Sequence, residues 1–500
     1  MKISFESKSP KSDVLVVFAA EGAKLLGAGA AADKKAGGAL KRAADADKFT
    51  GKKHQTLVVA GVAGLPHSHV VVVGLGKPEE LKGPDFEKIG SSLTALLNQK
   101  KAVNADVAFT TDGMHLKHHD AHEAAARMAQ AALLSAYRFD KYLTKEPKDK
   151  KPTLKHLAFT VDNPAKAKKA FADAEKVANG VYLTRDLVSE TPNVLYPESF
   201  AAIIKKELSP LGIKVKVLDE KEIIRKGMGA LEAVGQGSAR PPRLVTMEYK
   251  GAGKNDRNVC FVGKGVTFDT GGISLKPGPG MEDMKWDMAG AAVVTGLMKA
   301  LAARGAKVNA VGVVAIAENM PSGTACRPSD IVTSMSGQTV EILNTDAEGR
   351  LILCDALWYA QEEFKPTHIV DLATLTGAII IALGHEYAGI FCNDDGFAKD
   401  LITCGKSVNE ELWQMPLNDA WDKAIDSPAA DMKNISGGRD AGSAIGAHFL
   451  KRFIQDGVKW AHLDIAGVAW STKDRVGVPK GASAFGVRLL DQYVAEYCEK

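Results

Sequence analysis

Short, β-branched apolar runs punctuate the first third of the chain. Val14-Leu15-Val16-Val17-Phe18, Thr56-Leu57-Val58-Val59-Ala60, Val70-Val71-Val72-Val73 and Val107-Ala108-Phe109 have the length and composition of buried strands. Between them the pattern predicts helices, most clearly from Glu123 to Tyr142, which is rich in Ala, Leu and Met. A Lys- and Pro-bearing stretch, Lys145 to Lys155, reads as a loop. It is followed by a strand at Leu157 to Val161 and by a helix from Ala165 to Ala178 that runs on toward Val188. From residue 200 the alternation resumes at larger scale. Strands are expected at 213–218, 244–249, 258–262, 309–317, 368–372 and 388–391, and helices at 200–208, 287–304, 351–363 and 442–453. Alternation of this kind predicts α/β architecture. The expected organisation is an N-terminal α/β domain over residues 1–180, its boundary falling within 165–190. A larger α/β domain over 181–500 follows, with a central mixed sheet flanked by helices.

Composition narrows the class. With 500 residues, 45% of them apolar and 25% charged, the chain matches an ordinary globular protein and excludes a collagen, a coiled coil or a wholly disordered polymer. No run of 18 apolar residues occurs, so no membrane span is expected. The start, Met1 to Lys8, lacks the apolar core of a signal peptide. Six scattered cysteines without a CxxC pair suit reduced thiols, and a cytoplasmic location is the expectation. The formal charge of +4 is unevenly spread: residues 1–180 carry +9 and residues 181–500 carry −5, as two domains with different surroundings would.

Three segments after residue 260 carry candidate chemistry. Gly263-Lys264-Gly265-Val266-Thr267-Phe268-Asp269-Thr270-Gly271-Gly272-Ile273-Ser274-Leu275-Lys276-Pro277 leaves an apolar strand for a Gly-rich loop. Met284-Lys285-Trp286-Asp287-Met288-Ala289-Gly290 and Asn344-Thr345-Asp346-Ala347-Glu348-Gly349-Arg350-Leu351 each open a helix. Asp346 and Glu348 are two apart, so an extended backbone points both the same way. Taken singly, Asp287 is an ordinary helix cap, Asp346 and Glu348 a first-turn pair, and Asp269 a turn former. Taken together, four acids following successive strands repel one another unless a cation holds them. Hard divalent ions and zinc both accept carboxylate ligands, and this much negative charge suits two ions.

These segments together resemble the leucyl aminopeptidase, or M17 cytosol aminopeptidase, family. Asn344-Thr345-Asp346-Ala347-Glu348-Gly349-Arg350-Leu351 matches the family signature without a departure, and the 263–277 loop and the 284–292 segment match in type and order. Arg185 to Pro197, Asp371 to Ala378 and His462 to Gly467 resemble further family blocks, so the likeness covers about residues 181–485. Trp286 stands where Tyr or Phe is more usual, and Ala289 where Gly, Ser or Cys is common.

The resemblance implies a two-metal aminopeptidase that releases N-terminal amino acids, Leu-like ones preferred, from peptides with a free N-terminus. It implies two divalent ions per subunit, Zn²⁺ or Mn²⁺. Asp269, Asp346 and Glu348 serve one ion; Lys264, Asp269, Asp287 and Glu348 serve the other. It makes Lys276 and Arg350 catalytic, with a bicarbonate at Arg350, and makes Met284, Thr374, Gly377 and Ala466 the lining of the first-side-chain pocket. It also implies a homohexamer. As a ligand, Lys264 must be neutral, a shift of roughly three units that only a neighbouring dication readily offsets.

Other signals carry less. His115, His118, His119 and His122 are spaced for one helical face but read as a solvated loop entering the next helix. Gly74-Leu75-Gly76-Lys77 lacks Walker spacing. The Lys excess before residue 180 leaves DNA binding open but not favoured, because no DNA-binding motif or aromatic interleaving accompanies it. The competing readings are a DNA-binding regulator on the same scaffold and a two-metal phosphoesterase.

Overall fold

A computed structural model describes residues 1–253 and 258–499. The chain forms two compact α/β units: Met1–Ala178 with Asp474–Pro479, and Asn179–Lys473 with Lys480–Lys500. The helix Pro164–Ser189 spans the change from one to the other, as its unbroken Ala-rich pattern requires.

In the first unit the apolar runs pair as a mixed sheet in the order Lys2–Glu6, His156–Thr160, Asn104–Ala108, Val14–Ala20, His69–Gly76, Thr56–Ala60. All neighbours on this path are parallel except the last pair. The strand Lys2–Glu6 had no clear sequence signal. It is an edge strand whose ladder partner lies some 154 positions away, so only the tertiary fold defines it. The expected helix 123–142 is shorter, running Ala121–Ser135. Beyond it the side chains leave the helical register, Arg138 pairing with Glu146 and Phe139 packing against Tyr142.

The second unit is built on an eight-stranded mixed sheet in the order Leu412–Gln414, Ala388–Cys392, Lys459–Asp464, His368–Ala373, Asn258–Asp269, Asn309–Asn319, Arg243–Lys250, Lys214–Leu218. Its four central strands, from Lys459–Asp464 to Asn309–Asn319, are mutually parallel and are flanked by antiparallel strands on both sides. Helices Ala289–Arg304 and Gly349–Phe364 pack on it. The first is buried along most of its length, as a helix apolar on every side must be. The chain steps from strand Asn258–Asp269 to Asn309–Asn319 on one side, then to His368–Ala373 on the other. That reversal opens a crevice at the carboxyl ends of the two strands beside Asn258–Asp269, where open α/β sheets bind ligands.

Three local expectations change. The strand expected at 258–262 extends to Asp269, because the long parallel neighbour Asn309–Asn319 continues its ladder past Gly263, where the pairing with His368–Ala373 stops. Lys264 is therefore a strand residue rather than a loop residue. Asp287 does not open a helix: it closes the 3₁₀ turn Met281–Trp286, and the helix begins at Ala289. Residues 344–348 form a turn rather than an extended segment, and Glu348 caps the following helix with φ −80° and ψ −31°.

Asp355, fully buried on helix Gly349–Phe364, accepts backbone N–H bonds from Leu231 (2.8 Å) and Met335 (2.7 Å). Burial pushes its carboxyl up to about 7 despite those bonds. Its folded pKa thus exceeds its unfolded value, so its favourable contribution is complete below about pH 4 and is lost as pH rises to about 7. Between pH 5 and 8 the wild type should lose roughly 2–3 kcal/mol relative to Asp355→Asn, measured by urea unfolding at both pH values. Parallel pH profiles for the two proteins would reject this account.

Candidate active site

The crevice at the strand ends gathers the acids that the sequence scatters over 80 positions. Lys264, 3% exposed, points from its strand into them. Its Nζ lies 2.7 Å from Asp287 Oδ1 and 2.8 Å from Glu348 Oε1, and donates to Thr374 O at 2.9 Å. Asp269 stands at the end of the same strand, beyond a register shift between Val266 and Asp269 that re-aims it. Its Oδ2 lies 2.9 Å from Lys276 Nζ, which also contacts Asp346. Asp269, Asp346 and Glu348 each offer a carboxylate oxygen within 4.8 Å of the other two. All five sequence-expected ligands and Lys276 therefore meet in one cluster.

Local chemistry explains why each side chain stands there. Asp269 Oδ1 accepts the N–H of Gly271 (2.9 Å) and the amide of Asn319 (2.8 Å). Gly271 has φ +87°, and a Cβ there would lie 2.5 Å from Ser274 O, so glycine is needed where the chain doubles back. The turn carrying Asp346 is tied to that loop: Thr345 Oγ1 donates to Gly271 O (2.6 Å) and accepts from Ser274 N (2.8 Å). Gly349 is small for a different reason. A Cβ on it would come within 2.6 Å of Lys264 Cε, displacing the buried amine.

Electrostatics follow from burial. It raises the carboxyl pKa values of Asp287, Glu348 and Asp346. Burial opposes the charge on Lys264, but Asp287, Glu348 and Asp269 outweigh it and hold the ammonium above its usual value. Lys276 behaves likewise, with Asp269 the main counter-charge. Arg350 is different. Burial lowers it to about 10, against the opposing pull of Glu348 and Asp464. Its Nη1 donates to Asn434 O at 2.8 Å, while its Nε is buried without a partner. Asp287 Oδ2 is likewise buried and unpartnered.

The expected pocket residues lie on the connections around this cluster. Met284, in the turn before Asp287, is half-buried, as are Thr374 and Ala466, whereas Gly377, at the start of helix Gly377–Leu383, is exposed. Thr374 Oγ1 donates to Asp287 Oδ1 at 2.7 Å, so its hydroxyl is turned to the acid. Asp464, unanticipated from sequence, accepts from Leu375 N (3.1 Å), Thr376 Oγ1 (2.6 Å) and Ala466 N (3.3 Å), binding two of these connections together. Asn319 and Asn434 were also missed. Each lies at or just beyond the end of a strand, and an amide side chain on its own carries no chemical signal that distinguishes it from an ordinary turn or loop residue. Among the described residues a second group, Asp120, His122 and Glu123, brings ligand atoms together at the surface.

Buried acids, two lysines and an unpaired carboxylate oxygen at the ends of parallel strands place this chain among α/β enzymes with a charged ligand-binding crevice. Residues 182–491 match the catalytic domain of the cytosol aminopeptidase family, and residues 14–146 match its N-terminal domain. The chain belongs to this family. It is 51% identical over its whole length to a probable cytosol aminopeptidase of Rhizobium etli (strain CIAT 652), covering 99% of that protein. It is 49% identical to one from Caulobacter vibrioides, both chains being covered in full. Among solved structures, a tomato leucine aminopeptidase mutant aligns with TM-score 0.85 and 32% identity over 99% of this chain and 96% of that one. The bottromycin maturation enzyme BotP in complex with Mn aligns with TM-score 0.83 and 32% identity, over 97% and 99%. The protein is a metal-dependent aminopeptidase acting on peptide N-termini. Among the described residues no helix is long and apolar enough to cross a membrane.

Proposed function

We propose that the 181–500 region is the catalytic domain and that its cluster holds two divalent cations, Zn²⁺ or Mn²⁺, for release of Leu-like N-terminal residues. Asp269, Asp346 and Glu348 would hold one ion, and Lys264, Asp269, Asp287 and Glu348 the other. The donor set fits: it offers mainly oxygen ligands, and the buried Asp287 Oδ2 has no hydrogen-bond partner to neutralise it. When bound, such ions supply Lewis-acid charge and lower the pKa of water toward about 7.

The chain's own groups do the rest. Lys276 keeps a full positive charge between Asp269 and Asp346, from where it donates to the oxygen of the scissile carbonyl as charge develops there. Arg350, anchored by one bond to Asn434 O, retains unpartnered donors suited to a planar oxyanion such as bicarbonate. Met284, Thr374, Gly377 and Ala466 would receive the first side chain. A free α-amine could offer its lone pair to a cation held in the acidic cluster, which an acylated nitrogen could not, so blocked peptides would be excluded.

A homohexamer accords with apolar side chains left outside, Ile381 at 90% exposure and Trp413 at 57%. A cytoplasmic location accords with the names of the relatives. The observation that carries the reading is the seating of two lysines among four converging acids. The test compares leucine anilide with its N-acetyl form, each with Mn²⁺ or Zn²⁺ and again with chelator. Only the free-amine substrate should be cleaved, and chelator should stop it. Equal cleavage of both substrates, or none of either with metal supplied, defeats the proposal.

A further inference from the structure

The turn that carries Asp346 and Glu348 has no regular structure of its own, so something must hold its shape. Asn434 is completely buried beneath it. It follows directly on the strand Met432–Lys433, which pairs in parallel with Thr339–Glu341, and its N–H donates to Glu341 O at 3.0 Å. That pairing sets its side chain against the segment leading into the turn. Its Oδ1 accepts from the N–H groups of Leu343 (2.8 Å) and Asn344 (3.3 Å). Its Nδ2 donates to the carbonyls of Asn344 (2.7 Å) and Ala347 (3.5 Å). Its own backbone carbonyl receives Arg350 Nη1 at 2.8 Å.

We infer that Asn434 is a positioning residue: its amide clamps the 343–347 backbone so that Asp346 and Glu348 face the acid cluster, and its carbonyl aims Arg350 at the same space. This rests on the reading of that cluster as the metal-holding site. The residue type is dictated by the bonding. Only a carboxamide of this length offers an oxygen that accepts from two N–H groups on one side and an NH₂ that donates to two carbonyls on the other. Asp in its place keeps the acceptors but turns a charged oxygen toward the carbonyls of Asn344 and Ala347. Groups that orient ligands in this way typically change metal affinity or activity by 10–100-fold when altered.

The experiment is a Mn²⁺ titration of full-length wild type, Asn434→Asp and Asn434→Ala by calorimetry, with kcat and KM for leucine anilide at saturating Mn²⁺. Asn434→Asp is nearly isosteric and serves if the alanine variant does not fold. Both variants should bind Mn²⁺ about 10–100-fold more weakly and lose a similar factor in kcat. The preference for Leu over Ala substrates should stay as in wild type, since the pocket residues lie on other connections. The comparison variant is Asn98→Ala in the first unit, which removes bonds to the N–H groups of Thr153 and Leu154 and to Thr94 O. It should lower the unfolding temperature and leave Mn²⁺ affinity unchanged. Wild-type Mn²⁺ affinity in Asn434→Asp, or a loss that merely tracks its unfolded fraction, overturns the inference. If wild type itself neither binds Mn²⁺ nor cleaves the anilide, it is the underlying reading that fails instead.

Discussion

Lys276→Ala should lower kcat on leucine anilide by about 10²–10³-fold while leaving Mn²⁺ bound, because it removes a preorganised donor worth about 3–4 kcal/mol to a developing oxyanion. The ammonium is only partly exposed and is fixed at 2.9 Å from Asp269 and against Asp346. No reorganisation is needed when charge appears on the substrate. Its removal also leaves Asp269 and Asp346 less compensated, which favours a cation in their midst. Metal affinity should therefore hold or rise while turnover falls. Lys276→Arg keeps the charge but not its compact placement, and should recover only part of the rate. A Lys276→Ala protein that has lost its Mn²⁺ would show that the lysine supports the site rather than the reaction. A kcat within threefold of wild type would remove it from the mechanism altogether.

The second large effect is expected at Lys264. Its amine is enclosed by Asp287, Glu348 and the carbonyl of Thr374, with 3% of the residue exposed. Taking away one partner of a buried ion pair costs about 3–5 kcal/mol, since the remaining charge has no water to turn to. Lys264→Ala should thus be destabilised by that order when chelator is present. The sign of the pH dependence follows from the acids. Burial raises the pKa values of Asp287 and Glu348. Without the lysine they rise further, so the variant's deficit should shrink as the pH falls and those carboxyls take up protons. Added Mn²⁺ should restore part of the stability by mass action and, if the amine is a ligand, should bind more weakly than to wild type. Lys264→Arg cannot present a neutral amine and serves as the second arm. Thermal unfolding at two pH values, with chelator and with Mn²⁺, reads all of this. Unchanged Mn²⁺ affinity in both variants would reject the ligand role.

The two predictions separate two tasks that the sequence motif lists side by side. Lys264 and Lys276 both sit among acids, and burial works against both charges while acids restore them. Their surroundings differ. Lys264 is sealed between the strand and the cap of helix Gly349–Phe364, where Gly349 lets the backbone pass within van der Waals reach of its Cε. Lys276 stands on a loop, partly open to solvent, where a substrate can reach it.

Much of this was legible in one dimension. The period of the apolar runs located nearly every central strand, because a strand buried on both faces has to be apolar throughout. The site acids and lysines were legible because they occur together in Gly-rich segments after successive strands, and because those segments resemble a family signature; singly, each had an ordinary reading. What the chain order could not convey was contact. The edge strand Lys2–Glu6 is defined by a partner about 150 residues away, and the length of strand Asn258–Asp269 by the long parallel strand Asn309–Asn319 beside it. The turn at 344–348 takes its shape from Asn434, some 90 positions further on, through bonds to backbone atoms that make no demand on the turn's own side chains. Asp464 holds two connections together in the same way. The sequence by itself determined which residues carry charge and where most of the apolar strands lie, though not the edge strand Lys2–Glu6 or the central strand Lys459–Asp464. The tertiary structure alone decided how those charges face one another, because hydrogen bonds from distant amides and carboxylates, not local preference, fix an irregular backbone.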